Sequence, residues 1–154
     1  MDFSRLEYIK NVNDDKTWAY KVYPIASYFP LNFKLGAGVD AHAFNLPKGS
    51  LIILSQKPPI YDERYLTHVV ELVNEGSEDK PQWETTGPWG IFRWVKVHWI
   101  ADFDNRSRIP LDKKEMRAEW GLFDTKAKLL SSPGLMSQWG SIDKLRAHLG
   151  EVFN

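Results

Sequence analysis

The chain has 154 residues, 43% of them hydrophobic and 26% charged, enough apolar mass for the core of one domain. Twenty Lys and Arg offset twenty Asp and Glu, and this zero formal charge excludes a globally basic nucleic-acid coat or an acidic tail protein. Cysteine is absent, which excludes disulfides and thiolate zinc sites; no apolar run reaches the roughly 18–20 residues that span a bilayer, and no signal-peptide core follows Met1, so a cytoplasmic protein without membrane association is expected.

In chain order, the first strand signal is 17–23, rich in aromatics and stopped by Pro24. A short helix is expected near 36–45. Residues 50–56 carry an apolar run behind the turn pair Lys48-Gly49 and read as a strand buried on both faces. Residues 65–74 are β-branched and end at Asn74-Glu75-Gly76. The longest signal, 91–101, puts Ile91, Arg93, Val95, Val97 and Trp99 on one face. Phe92, Trp94, Lys96, His98 and Ile100 fall on the other. A helix over 112–120 is expected, with Asp112 as N-cap in a capping-box variant with Glu115. Leu111 and Met116 take the staple positions and Gly121 ends the helix. Ser141 caps a second helix, 141–150, which lines up Ile142, Leu145, Leu149 and Val152. The stretches 24–49 and 74–90 read as long irregular loops of the kind that carry function. No repeat or linker divides the chain, so 1–154 is expected to be one α+β domain. Short strands with long crossings suggest a small barrel.

The charges are unevenly spread. Residues 61–90 hold seven acids and two bases, and residues 91–154 hold eleven bases and eight acids, so a polyanion would favour the second region. Within it, Arg106 and Arg108 share a face of an extended segment, and Lys113 and Arg117 lie one helical turn apart. These two pairs can grip backbone phosphates. The seven Trp are numerous for a chain of this length and suit a stacking surface for flat ligands. Trp83 and Trp89 sit in a Gly- and Pro-rich loop, where they either hold a flipped base or fold back as lids over the barrel end. Trp18 reads as core or cleft wall, and Trp120 and Trp139 as helix-end packing. Of the four histidines, no pair has zinc-protease spacing; His68 and His98 read as structural, and no metal or cofactor is expected. Nothing forms a phosphate-binding glycine loop or a nucleophile elbow.

Gly38-Val39-Asp40 followed by Leu46-Pro47-Lys48-Gly49-Ser50-Leu51-Ile52-Ile53-Leu54 resembles the helix–turn–strand passage of EVE domains, members of the PUA-like superfamily alongside YTH and ASCH domains. His68–Val73 and Trp94–Ile100 with Ile109-Pro110-Leu111 resemble that family's later strands and the approach to its next helix. Ser50 stands where the family carries an acid. The resemblance implies a small curved PUA-like β-barrel flanked by helices, with a cleft beside it for a modified base of DNA or RNA. It also implies that Asp40 and His42, before the second strand, and Ser55 and Gln56, leaving it, border that cleft. Gln and Asp can read a base edge by paired hydrogen bonds.

The leading expectation is therefore non-enzymatic binding of modified DNA or RNA, with Asp40, His42, Ser55, Gln56, Trp83 and Trp89 at the base. Arg106, Arg108, Lys113 and Arg117 would hold the backbone. Two alternatives stand beside it. One is an ASCH-like amidohydrolase acting on modified nucleosides, with Lys21 and Glu71 meeting across the barrel. The other is a protein-interaction module built on exposed Trp83 and Trp89.

Overall fold

The computed structural model describes residues 1–84, 86–120 and 124–154. Its framework is a six-stranded mixed sheet of β1 (Leu6–Asn11), β2 (Tyr28–Phe33), β3 (Leu51–Gln56), β4 (Tyr65–Leu72), β5 (Ile91–Ile100) and β6 (Lys128–Leu129). The strand order is β2-β5-β4-β3-β1-β6, and β1 runs parallel to β3 while the other neighbours are antiparallel. The sheet is open, not closed into a barrel. Among the described residues no helix is long and apolar enough to cross a membrane.

Both faces of the sheet are covered. On the first, Phe29, Leu31, Phe33, Ile52, Leu54, Val70, Val95 and Val97 pack beneath α1 (Val39–Asn45) through Val39, Ala43 and Leu46. On the second, Leu6, Ile9, Leu51, Ile53, Leu66 and Val69 pack against α3 (Asp112–Met116), α4 (Pro133–Trp139) and α5 (Ile142–Val152). A short α2 (Gly76–Asp79) precedes β5. Covering both faces leaves β3 no exposed side: all six of its residues are buried, Leu51–Leu54 as apolar side chains and Ser55 and Gln56 as polar ones that find hydrogen-bond partners. Arg93 is fully buried on β5. It pairs with Asp79 at 2.9 Å and donates to the carbonyls of Ala43, Leu46 and Asn74, tying α1 and α2 to the sheet.

The strands expected at 50–56, 65–74 and 91–101 are present, as are the short helix before β3 and the C-terminal helix. Ser141 caps that helix by accepting from the Lys144 amide. Residues 17–23 are not a strand. They form turns around Tyr20, whose φ is 59°. Their peptides are met by side chains instead of a strand. Gln56 accepts from the Ala19 amide at 2.8 Å and donates to the Thr17 carbonyl at 3.0 Å. Three strands fall outside the sequence expectations, the two-residue β6 and the longer β1 and β2. In β1, Glu7 and Lys10 interrupt the apolar pattern. In β2, Pro30 argues against a strand. Pro30 is tolerated because β2 is an edge. Phe29, Leu31 and Phe33 pair inward with β5, and the outward Asn32 amide donates to the Tyr20 phenol at 3.1 Å.

The helix at 112 is also shorter than expected. It ends at Met116, with Arg117 left-handed at φ 59°. Its N-cap is Leu111, so Asp112 is not the cap; its carboxylate turns inward. Gly121 lies outside the described residues.

Candidate functional site

The C-terminal end of β3, the start of β4 and the start of α3 are laced together by backbone hydrogen bonds. The Leu66 amide donates to the Pro110 carbonyl at 2.9 Å, the Asp112 amide donates to the Arg64 carbonyl at 3.0 Å, and Tyr65 bridges Leu111. Between the pairs Leu54–His68 and Ser55–Leu66 the register shifts, leaving Thr67 of β4 as the extra residue of a bulge beside the end of β3. These features deliver Asp112 to Ser55. The Ser55 hydroxyl donates to Asp112 Oδ2 at 2.5 Å, and Trp120 Nε1 donates to both carboxylate oxygens at 3.0 Å. Asp112 is 4% exposed, and this burial pushes its carboxyl above the usual carboxylate range, while the Ser55 and Trp120 donors and the Arg64 charge pull the other way. Arg64 donates from Nη2 to Asn11 Oδ1 and, at 3.2 Å, to the Ser55 carbonyl. Its Nε is buried and has no partner among the described residues.

This cluster forms the floor of a cleft of about 660 Å³. Leu111, Ala118 and Trp120 supply its apolar wall, and Lys113, Lys114, Asp62, Glu63 and Glu119 complete the lining with charges of both signs. It is an apolar hollow with a few converging polar groups, the usual composition of a small-ligand site. Chemically it offers a flat indole, a carboxylate acceptor and a guanidinium beside each other.

Of the residues expected at a site, two belong to this region. Lys113 lines the cleft, and Ser55 holds Asp112 from behind. Gln56 points to the opposite face of the sheet, where its amide is consumed by residues 17–19. Asp40 is exposed on α1, which covers that opposite face, so the structure does not bring Asp40 and Ser55 to a common concavity. His42, on the same helix, accepts from the Ala127 amide at 2.9 Å. Trp83 packs on the first-face core and donates from Nε1 to the Phe92 carbonyl at 2.6 Å. Trp89 borders a separate hollow with Asn13, Asp14, Asp15 and Asn32.

The basic residues are dispersed. Arg106 lies over the Tyr61 ring at 4.1 Å and donates to the Tyr65 hydroxyl. Arg108 is exposed near Asp102, and Arg117 lies over the Trp139 ring at 4.1 Å. Lys21 donates to Thr17, whereas Glu71 accepts from Arg5 at 2.5 Å and bonds His98 at 2.6 Å, so the two engage different partners. Although β4 pairs with β5, His68 faces Ile100, not His98. Burial pushes the His68 imidazole down to about 4. No three His, Asp or Glu side chains converge on a metal position among the described residues.

Arg64 and Trp120 escaped the sequence reading as site residues, and Asp112 entered it only as a cap. The one available signal was Arg64 itself, an isolated base in an acidic stretch at the mouth of a strand. Compared with protein-family models, curated proteins and solved structures, the chain matches none.

Proposed function

We propose that this chain is an EVE-like, PUA-related module that binds nucleic acid through a modified base received in the Arg64–Asp112–Trp120 cleft. The observation that carries the reading is the buried Asp112 carboxylate, held by Ser55 and Trp120 beside Arg64 on the floor of an indole-walled hollow. A nucleobase is flat and presents donors and acceptors side by side at its edge. An indole plane with an acceptor and a donor next to it is the matching surface. A cleft of about 660 Å³ leaves room for an added group on the base. Lys113 and Lys114 at its lining supply charge where a strand's phosphates would pass.

The test is binding to a panel of oligonucleotides with different modified bases. Asp112→Asn keeps the shape and a carbonyl acceptor for Ser55 and Trp120 but removes the carboxylate. It should cost about 1–3 kcal/mol of discrimination between bases. Lys113→Ala should weaken every oligonucleotide alike and flatten the salt dependence. A wild-type protein without preference for any base, or an Asp112→Asn variant with the wild-type preference, would refute the reading.

A further inference from the structure

A second groove, of about 730 Å³, runs between α1, the short edge strand β6 and the start of α4. Tyr8, His42, Asn45, Lys126, Lys128 and Ser132 line it. Its charge is lopsided. Asp124 is the one acid in contact with these lysines among the described residues, and it is already engaged by Lys128 at 2.9 Å and by the Lys126 backbone amide. The Lys126 ammonium forms no ion pair among the described residues, although its side chain is half-buried. The Asp124 carboxylate feels the Lys126 charge but is held by Lys128, so an incoming anion would give the Lys126 ammonium a direct partner. Lys10, fully buried, adds a further amine close enough to act on His42.

The remaining lining groups suit an anion. His42 accepts the Ala127 amide at Nε2, which leaves its proton on Nδ1 as a donor. Burial, and after it the Lys126 charge, pushes this imidazole below its ordinary range, so it stays a neutral donor near pH 7. Tyr8 is shifted the other way, by burial and then by Glu7, and keeps its hydroxyl proton. Among the described residues Ser132 makes no capping hydrogen bond with its hydroxyl, so that hydroxyl can donate into the groove.

We infer that this groove is a phosphate site, in which Lys126 supplies the charge, Lys128 shares its own with Asp124, and Tyr8, His42 and Ser132 supply neutral donors. Trp120 borders both this groove and the Asp112 cleft, so a phosphate here lies one indole away from that hollow. The phosphate can belong to a nucleic-acid strand or be free in solution, and two titrations separate these sources. One uses inorganic phosphate and the other a single-stranded oligonucleotide. Each is run with the wild type, Lys126→Gln and Lys126→Arg, after a thermal melt of each variant.

Lys126→Gln should weaken binding about tenfold, as the loss of one charge-assisted contact does. With the oligonucleotide it should also lower the salt slope by about one. Lys126→Arg, which keeps the charge, should bind within about threefold of wild type, under 0.7 kcal/mol. A response to both ligands identifies a general phosphate site, and a response to the oligonucleotide alone identifies a strand-phosphate site. The inference is overturned if neither ligand binds, if Lys126→Gln matches wild type with both, or if Lys126→Arg is as weak as Lys126→Gln. Its failure is separable from that of the base-reading proposal. Oligonucleotide binding that needs Lys126 but ignores base identity upholds this site and sinks the other. Base preference that is indifferent to Lys126 does the reverse.

Discussion

Among the described residues the cationic side chains of Lys10 and Arg93 are completely buried, and the fold treats them differently. Arg93 has Asp79 and three carbonyls around it. Removing it leaves Asp79 buried with its charge uncompensated. Arg93→Met should therefore cost about 3–5 kcal/mol in urea unfolding, and a loss below 1 kcal/mol would show that the clamp is dispensable. Among the described residues Lys10 has the Asn11 carbonyl at 3.1 Å and the Phe33 ring at 4.7 Å, and the Asp124 charge acts on it without forming an ion pair. Burial pushes its amine down from 10.5 to about 7. Between these values the unfolded chain holds a proton that the folded chain lacks, so stability rises with pH across that window. Below pH 7 the penalty is fully present. Lys10→Met should consequently gain most over wild type at pH 6 and little at pH 10.5; equal differences at both pH values would contradict this. His68 adds a second slope. Its imidazole titrates near 4 when folded and near 6.5 when unfolded, so stability should fall as pH drops through that interval.

At the scale of elements, helix contacts are tight where backbone meets backbone. A Cβ on Gly76 would lie 2.0 Å from the Phe44 carbonyl oxygen, whereas one on Gly87 would meet nothing within 4 Å. Gly76→Ala should lower stability by about 1–3 kcal/mol by forcing α2 off α1, with Gly87→Ala near neutral in the same denaturation assay. The same scale shows what the sequence makes legible. β3, β4 and β5 are apolar enough for their patterns to be read directly, and the Ser141 cap marks its own helix. The segment 17–23 has strand composition, yet its Thr17 carbonyl and Ala19 amide are met by the Gln56 side chain, which lies 37 positions from Ala19. No local pattern carries that pairing. β1 is hidden by a lysine whose burial is a tertiary fact. The Asp112 cleft is hidden for the same reason. Its acid reads as a helix cap until β3 supplies Ser55, and its aromatic wall lies eight residues further on, at the helix end where the sequence suggests only packing.

For the molecule as a whole, covering both sheet faces puts the last two residues of β3 into different environments. Ser55 serves the second face and Gln56 the first, which is why neighbouring residues cannot both border one cleft. The open sheet also leaves a free margin at β2, a strand of six residues whose outward side carries Tyr28, Pro30 and Asn32. At that margin Pro30 has no amide hydrogen to offer, and the Asn32 amide is already spent on Tyr20. A neighbouring copy arriving edge-on finds no run of donors to copy, so the margin resists templated growth into fibrils. Restoring the donors with Pro30→Val and Tyr20→Phe together should convert a concentration-independent sedimentation profile into one that climbs with protein concentration and to bring thioflavin-positive material.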